Sequence, residues 1–411
     1  MLLHKHLFMK TNNNFFILSF CLLLVFISAC TKTEEPPKPI GDKLPYNSNV
    51  TRSLSQLIDS IPETSVFSIA LKRTTILRYM DSLAGKNPAA PYTMFVPTNK
   101  ALQDAGFTSD NIGTVPVAIL DTLIRYLTIS GGIPANTSNL TGETNYYPLM
   151  YPDRTITRSQ VPSPFLLWTN MYYYYRLVLG MTDGVLRLNG KTVCKTPGIP
   201  ATNGTVYMLD SLVKKPFYES YQVLSHDTSF TFYMAALEKN NAMYNAKGII
   251  GQMNDTSALV LAVGTNTPGK EPFTIVFAPD NSAFRKAGFN SIEDINSYID
   301  KSALASAPNY TQMRTNMDSI LVNHQLISNY NALNPALTYL YSIDLRLNMF
   351  GVNLTNAPSP GAVTVQNING QVVLHRQDYP QGRGAAIISP SDITTLTGVI
   401  HRVDNLLLPT P

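Results

Sequence analysis

The chain is poor in the residue types from which most recognisable chemistry is built. Of 411 residues only 3 are cysteine, 6 histidine and 1 tryptophan, and 14% carry charge. Three thiols scattered at Cys21, Cys30 and Cys194 exclude a disulfide-stapled fold, so stability has to come from buried cores. A hydrophobic fraction of 44% is enough to build them. The net charge of +4 and the lack of any long basic run remove the electrostatic argument for nucleic acid as a partner. Gly-rich phosphate loops, paired-cysteine motifs, a His-Glu-x-x-His helix and a Gly-x-Ser-x-Gly elbow are all missing. Beyond residue 29 only His226, His324, His375 and His401 remain, none within four residues of another, so there is no local zinc motif. These absences lead to the expectation of a protein that is not an enzyme and needs no cofactor or metal.

Long apolar runs are also scarce, and the one at the N-terminus is short. A weakly basic start (Lys5, Lys10) leads into apolar residues 15–29, less than the ~20 residues needed to cross a bilayer. That is the layout of a signal peptide, here residues 1–29. The run Ile27-Ser28-Ala29-Cys30 resembles the bacterial lipobox, which implies cleavage before Cys30 and a lipid on its thiol. Several acyl chains make release rare, since each buried methylene adds ~0.8 kcal/mol. With Cys30 acylated, Cys194 is the one thiol left. The mature chain would carry 29 basic against 27 acidic side chains.

Residues 30–50 read as a tether. Thr31-Lys32-Thr33-Glu34-Glu35 is followed by Pro36, Pro37, Pro39 and Pro45, and an extended proline-rich chain of this length reaches up to ~60 Å at about 3.1 Å per residue. The Lys-Thr-Glu-Glu run resembles an acidic export tag used by one group of Gram-negative bacteria, which implies the outer face of the outer membrane. A solvated charge run is the plainer alternative.

Beyond the tether the chain repeats itself. Tyr92-Thr93-Met94-Phe95-Val96-Pro97-Thr98-Asn99 closes at Gly106-Phe107, and Phe273-Thr274-Ile275-Val276-Phe277-Ala278-Pro279-Asp280-Asn281 closes at Gly288-Phe289. Each copy predicts a buried strand stopped by proline, a helix capped by Thr98 or Asp280, and a left-handed glycine after it. An amphipathic helix follows, carrying Leu120, Leu123, Ile124 and Leu127 in one copy and Met317, Ile320, Leu321 and His324 in the other. Gly204-Thr205-Val206-Tyr207-Met208-Leu209-Asp210 then matches Gly398-Val399-Ile400-His401-Arg402-Val403-Asp404 as a terminal strand. Three elements in the same order place one domain at 51–216 and another at 217–409, the second enlarged between Asn290 and Asn316 and over 377–384. Strand-like alternation fills residues 172–179, 185–188, 339–347 and 363–365. Helices come early and most strands late, which predicts an α+β fold.

These residues resemble the fasciclin-like domain, present as a tandem pair over nearly all of residues 51–409. The resemblance implies two β-sheet wedges, each packed with several helices, and a role in adhesion or in binding macromolecules at a cell surface. It also implies a Tyr-His ligand site on the central helix. Tyr126 occupies the tyrosine position but is followed by Leu127, and the second copy has Asn323 before His324, so Tyr126, Asn323 and His324 are the candidate ligand-binding residues. The alternative for His324 is a half-buried ring bonded to the neighbouring strand.

Two further features invite a functional reading. Cys194, in Thr192-Val193-Cys194-Lys195 after the turn Asn189-Gly190, is expected to be a small core residue, since no histidine lies near it in sequence to act as a base. The run Tyr172-Tyr173-Tyr174-Tyr175, with Tyr146, Tyr147 and Trp168, is expected to split its rings between two faces, core and surface. The functional expectation is a lipid-anchored surface module that binds a matrix polymer, glycan or protein. An accessory subunit of an outer-membrane nutrient-uptake complex is the alternative, in which the partners are other envelope proteins.

Overall fold

A computed structural model of the chain describes residues 49–84, 91–133, 145–158, 171–182, 184–246, 259, 273–302, 315–321, 323–328, 341–345, 363–376 and 382–409. Residues 50–411 form one compact unit by their contacts. Cys30, the tether up to residue 48 and Trp168 lie outside the described residues.

The first half begins with helices α1 (Leu54–Ser60), α2 (Ser65–Arg73) and α3 (Ile76–Ala84). Ser53 caps α1 in a reciprocal box with Gln56. Strand β1 (Tyr92–Pro97) is buried at every position, which requires that both of its faces be covered. Thr98 ends it and caps α4 (Asn99–Asp104), its hydroxyl accepting from the Ala101 N–H at 3.2 Å. Gly106 then turns the chain at φ 90°. Helix α5 (Val117–Tyr126) leads into β2 (Thr128–Ile129), β3 (Asn145–Arg158), β4 (Met171–Thr182), β5 (Val185–Leu188), β6 (Thr192–Cys194), β7 (Ile199–Ala201) and β8 (Gly204–Leu209). The sheet runs β1-β2-β3-β4-β5-β6-β8-β7 and closes on itself, because β1 also pairs with β8. That last pairing is parallel, Tyr92 opposite Gly204 through Pro97 opposite Leu209. Met94, Val96, Leu120, Ile124, Leu177, Leu186 and Val206 fill the core between sheet and helices.

The second half repeats the plan. Helices α6 (Ser220–His226) and α7 (Thr231–Ala246) precede β9 (Phe273–Pro279), α8 (Asn281–Lys286), α9 (Ile292–Asp300) and the single turn α10 (Asp318–Leu321). Then come β10 (Gln325–Ser328), β11 (Val363–Ile368), β12 (Gln371–Arg376), β13 (Ala385–Thr394) and β14 (Gly398–Val403), in sheet order β10-β9-β14-β13-β12-β11. Again the leading and closing strands pair in parallel, Gly398 opposite Thr274 through Val403 opposite Pro279. The fold is α+β, as the order of elements predicts.

The hydrogen bonds repeat as well as the elements. Asn99 Oδ1 accepts from the Val66 N–H and Asn281 Oδ1 from the Phe232 N–H, both at 3.0 Å, so one asparagine ties the short helix to the preceding one in each copy. Asp280 caps α8 through the Ala283 N–H at 2.8 Å, and Gly288 closes it at φ 97°. Residues 341–345 depart from the expectation of a strand. The Asp344 carboxylate accepts from the Tyr341 N–H at 3.1 Å while the Asp344 N–H reaches back to the Tyr341 carbonyl at 2.8 Å, and such local bonding makes a turn.

Gly204 and Gly398 start the closing strands, where a side chain has no room. A Cβ on Gly204 would lie 2.0 Å from the Tyr92 carbonyl oxygen, and one on Gly398 would lie 1.9 Å from that of Thr274. Gly204→Ala is therefore expected to destabilise the first half by at least ~2–3 kcal/mol, the range of severe overpacking. Urea denaturation measures this, and a loss below the ~0.5 kcal/mol of ordinary surface changes would show that β1 and β8 separate at no cost.

Candidate functional site

The candidate site residues stand where the central helix of each half hands over to the strand flanking β1 or β9. In the first half α5 ends at Tyr126, and the Leu127 carbonyl accepts from the Phe95 N–H at 2.9 Å. In the second half α10 stops at Leu321, so Asn323 and His324 lie in the turn before β10 and not on the helix. The His324 carbonyl accepts from the Phe277 N–H, also at 2.9 Å. Leu127 and His324 are thus the same position in two copies, as the sequence alignment expects.

The His324 ring is buried completely, not half. Its Nδ1 lies 2.8 Å from the Phe277 carbonyl and its Nε2 accepts from the Leu407 N–H at 3.0 Å. One nitrogen donates and the other accepts, which defines a neutral ring with its proton on Nδ1. A second proton would set an N–H against the Leu407 N–H. Burial accordingly pulls the ring pKa down to about 4, with the nearby Arg376 adding to the effect and the Phe277 carbonyl opposing it. The ring also meets Tyr233 edge-on, centroids 6.4 Å apart. His324 is a rivet between β9, α7 and the C-terminal segment.

Tyr126 is buried in the first core, its ring edge-on to Tyr175 at 5.8 Å. Asn323 is buried too. The three residues occupy two separate cores and, in this conformation, present no side-chain surface to a ligand. Cys194 is a core residue, with its thiol raised by burial and by Asp210. In the tyrosine run Tyr175 is buried, while the side chains of Tyr172, Tyr173 and Tyr174 fall outside the described residues. No cluster of three or more His, Cys, Asp or Glu side chains able to hold a metal ion occurs among the described residues. No helix among them is long and apolar enough to cross a membrane.

One titratable group escaped the sequence reading. Asp318 is buried at the start of α10, where its Oδ1 accepts from Asn240 Nδ2 and its Oδ2 from the Thr315 N–H, both at 3.0 Å. Thr315 Oγ1 closes the network on Asn240 Oδ1 at 2.8 Å. The Thr315-x-x-Asp318 spacing is a readable cap signal, but its burial against α7 is not. Burial pushes the carboxyl up to about 7, against the bond from Thr315. At the matching position of the first half, Asp121 stays partly exposed and pairs with Arg125 at 2.6 Å.

The two buried groups act on stability with opposite signs. Native His324 is neutral, so its contribution is complete above the unfolded value near 6.5 and is lost as pH falls through about 4. Native Asp318 is protonated, so its contribution is complete below 3.8 and is lost as pH rises through about 7. Between these limits the slopes oppose each other. Asp318→Asn is expected to make the unfolding free energy climb with pH between about 4.5 and 6.5, by on the order of 2 kcal/mol relative to the parent. Urea titrations at several pH values measure it, and parallel curves would refute the assignment. Labelling of the folded protein with iodoacetamide should leave Cys194 unmodified until denaturant is added, and rapid modification of the native state would contradict its burial.

No protein-family model matches the chain, and no curated protein matches it. Among solved structures the chain is similar to a FAS1 domain pair from the insect cell adhesion molecule Fasciclin I, at 14% identity, over 84% of this chain and 95% of that one, with a TM-score of 0.30.

Proposed function

We propose that the protein is a lipid-anchored binding or adhesion module of the cell surface, held through Cys30 and presenting two fasciclin-like halves to a matrix, glycan or protein ligand. The observation that carries this reading is the repeat of the module: the same strand, capped helix and closing strand recur with the same asparagine tie and the same parallel pairing. A duplicated framework whose shared features are backbone pairings and helix ties suits multipoint holding better than catalysis. The lipobox at residues 27–30 and the proline-rich tether support attachment at a membrane, with the acidic residues after Cys30 favouring the outer face of the outer membrane.

The contact surface in this reading is not the buried Tyr126, Asn323 and His324. The most exposed large apolar side chains among the described residues are Phe217 at 69% and Tyr218 at 59%, adjacent in the connection between the halves. The Lys215 ammonium lies 5.0 Å from the Phe217 ring centroid and 4.6 Å from that of Tyr175. Exposed aromatic rings beside a cation are groups on which sugars and protein partners stack.

Cys30→Ala is expected to release the folded protein from membranes, read by fractionation and circular dichroism, and full retention on the membrane would defeat the anchor. Phe217→Ala/Tyr218→Ala is expected to weaken binding of the lipid-free chain to immobilised cell-surface glycan or matrix protein about tenfold, the cost of losing a ~1.4 kcal/mol contact, without changing its melting temperature. Lack of binding by the parent chain at high micromolar concentration would overturn the binding role. Binding that the double variant leaves intact would overturn this surface alone.

A further inference from the structure

Residues 341–345 alternate like a strand but make a turn that belongs to both halves. From the second half the turn is held by carboxylates. Asp344 accepts from the Tyr341 N–H, and Asp392, in the irregular part of β13, accepts from both the Ser342 N–H and the Ser342 hydroxyl at 2.6 Å. Asp392 in turn lies 3.3 Å from Nδ1 of His401, which stacks on Phe277 of β9. The turn is thereby fixed to the leading strand pair of its own half before it meets the other.

The surface that receives it is a notch with two glycines. A Cβ on Gly190, in the Asn189-Gly190 turn between β5 and β6, would lie 2.3 Å from the Tyr341 Cβ and 2.4 Å from its Cγ. A Cβ on Gly180 of β4 would lie 3.1 Å from Asp344 Oδ1. The notch is shaped by Asn189, whose N–H donates to the Val178 carbonyl at 2.8 Å and whose Oδ1 accepts from the Val178 N–H at 3.1 Å. Tyr341, fully buried, packs with Val178 of the first half and Val399 of the second, and its hydroxyl bonds Thr394 Oγ1 at 3.1 Å. Around this plug Lys191 donates to the Ser391 carbonyl at 2.6 Å, and Leu396 packs into the core of the first half.

We propose that the 341–345 turn is a key, with Tyr341 as its bit, that seats in the Gly180/Gly190 notch and locks the two halves into one rigid body. Loss of the fit on either side exposes the facing surface of the other, because the plug is shared and its removal leaves Val178 and Val399 without cover. The spacing between the two halves is then a property of this junction and not of the chain that connects them. A bound ligand spanning both would meet a fixed geometry, and tension on one half would reach the other through the plug.

Hydrogen exchange read by mass spectrometry on the full-length protein in detergent tests the lock. Gly190→Ala is expected to raise exchange at Tyr341 and Ser342, in the half that is not mutated, by about tenfold or more. Gly184→Ala supplies the control. Gly184 has a similar positive φ of 75° and nothing within 4 Å, so it carries the backbone strain without the collision. Tyr341→Ala, which adds no backbone strain, should raise exchange at Val178 and Asn189 to a similar degree and decides the matter if Gly190→Ala does not fold. Tyr341→Phe keeps the ring and should exchange as the parent does. Exchange that stays unchanged across the junction in Tyr341→Ala, or a Gly184→Ala variant that loosens residues 341–345 as much as Gly190→Ala does, would overturn the proposal.

Discussion

The parallel pairing of the leading and closing strands organises each half, and its first rung allows no side chain. The Tyr92 and Thr274 carbonyl oxygens occupy the space in which a Cβ of Gly204 or Gly398 would stand. Parallel strands need a long crossover between them, and here that crossover holds α4, α5 and the rest of the sheet in the first half, and α8, α9, α10 and the rest of the sheet in the second. The described elements between residues 97 and 204, and between 279 and 398, therefore form an excursion that returns to pair with the leading strand. The cap at Thr98 or Asp280 fixes where the excursion begins, since the Thr98 and Asp280 N–H groups still bond Leu209 and Val403 on the closing strand.

Within that shared frame the two halves spend matching positions differently. Leu127 and His324 both bond the leading strand through their carbonyls, yet only His324 adds two ring bonds. Asp121 and Asp318 occupy matching helix positions, yet one meets an arginine at the surface and the other is sealed under α7. Both differences belong to a second half in which the central helix is cut to one turn. At the same positions the longer α5 of the first half has an apolar Leu127 and a partly exposed Asp121–Arg125 pair. Both buried groups of the second half have partners there, because a buried polar group without one costs more than its bond returns.

The junction between the halves follows the same logic at a larger scale. A tyrosine entering a glycine notch gains contact on both faces without a charge being buried bare, and the carboxylates that shape the key are bonded within their own half. The exposed aromatics Phe217 and Tyr218 lie in the connection just before the second half, and the Tyr218 carbonyl accepts from the Leu396 N–H at 2.9 Å. The surface proposed for binding is therefore built onto the same region that fixes the relation of the halves.

The sequence by itself determined the elements that depend on local chemistry. Proline-stopped strands, the Thr98 and Asp280 caps, the left-handed Gly106 and Gly288 and the glycine-led closing strands were all legible, because each is set by residues within a few positions of one another. The repeat raised that legibility by showing each signal twice. What the tertiary structure alone decided was burial and partnership over long separations. Whether His324 faces solvent or seals a core depends on Phe277 and Leu407, and whether Asp318 is a surface cap or a buried acid depends on Asn240. Residues 341–345 alternate like a strand but turn, since Asp344 and Asp392 offer their backbone closer partners than any neighbouring strand does. Periodicity reports which side of an element is apolar. It does not report what packs there, and in this protein that difference separates a ligand site from a rivet.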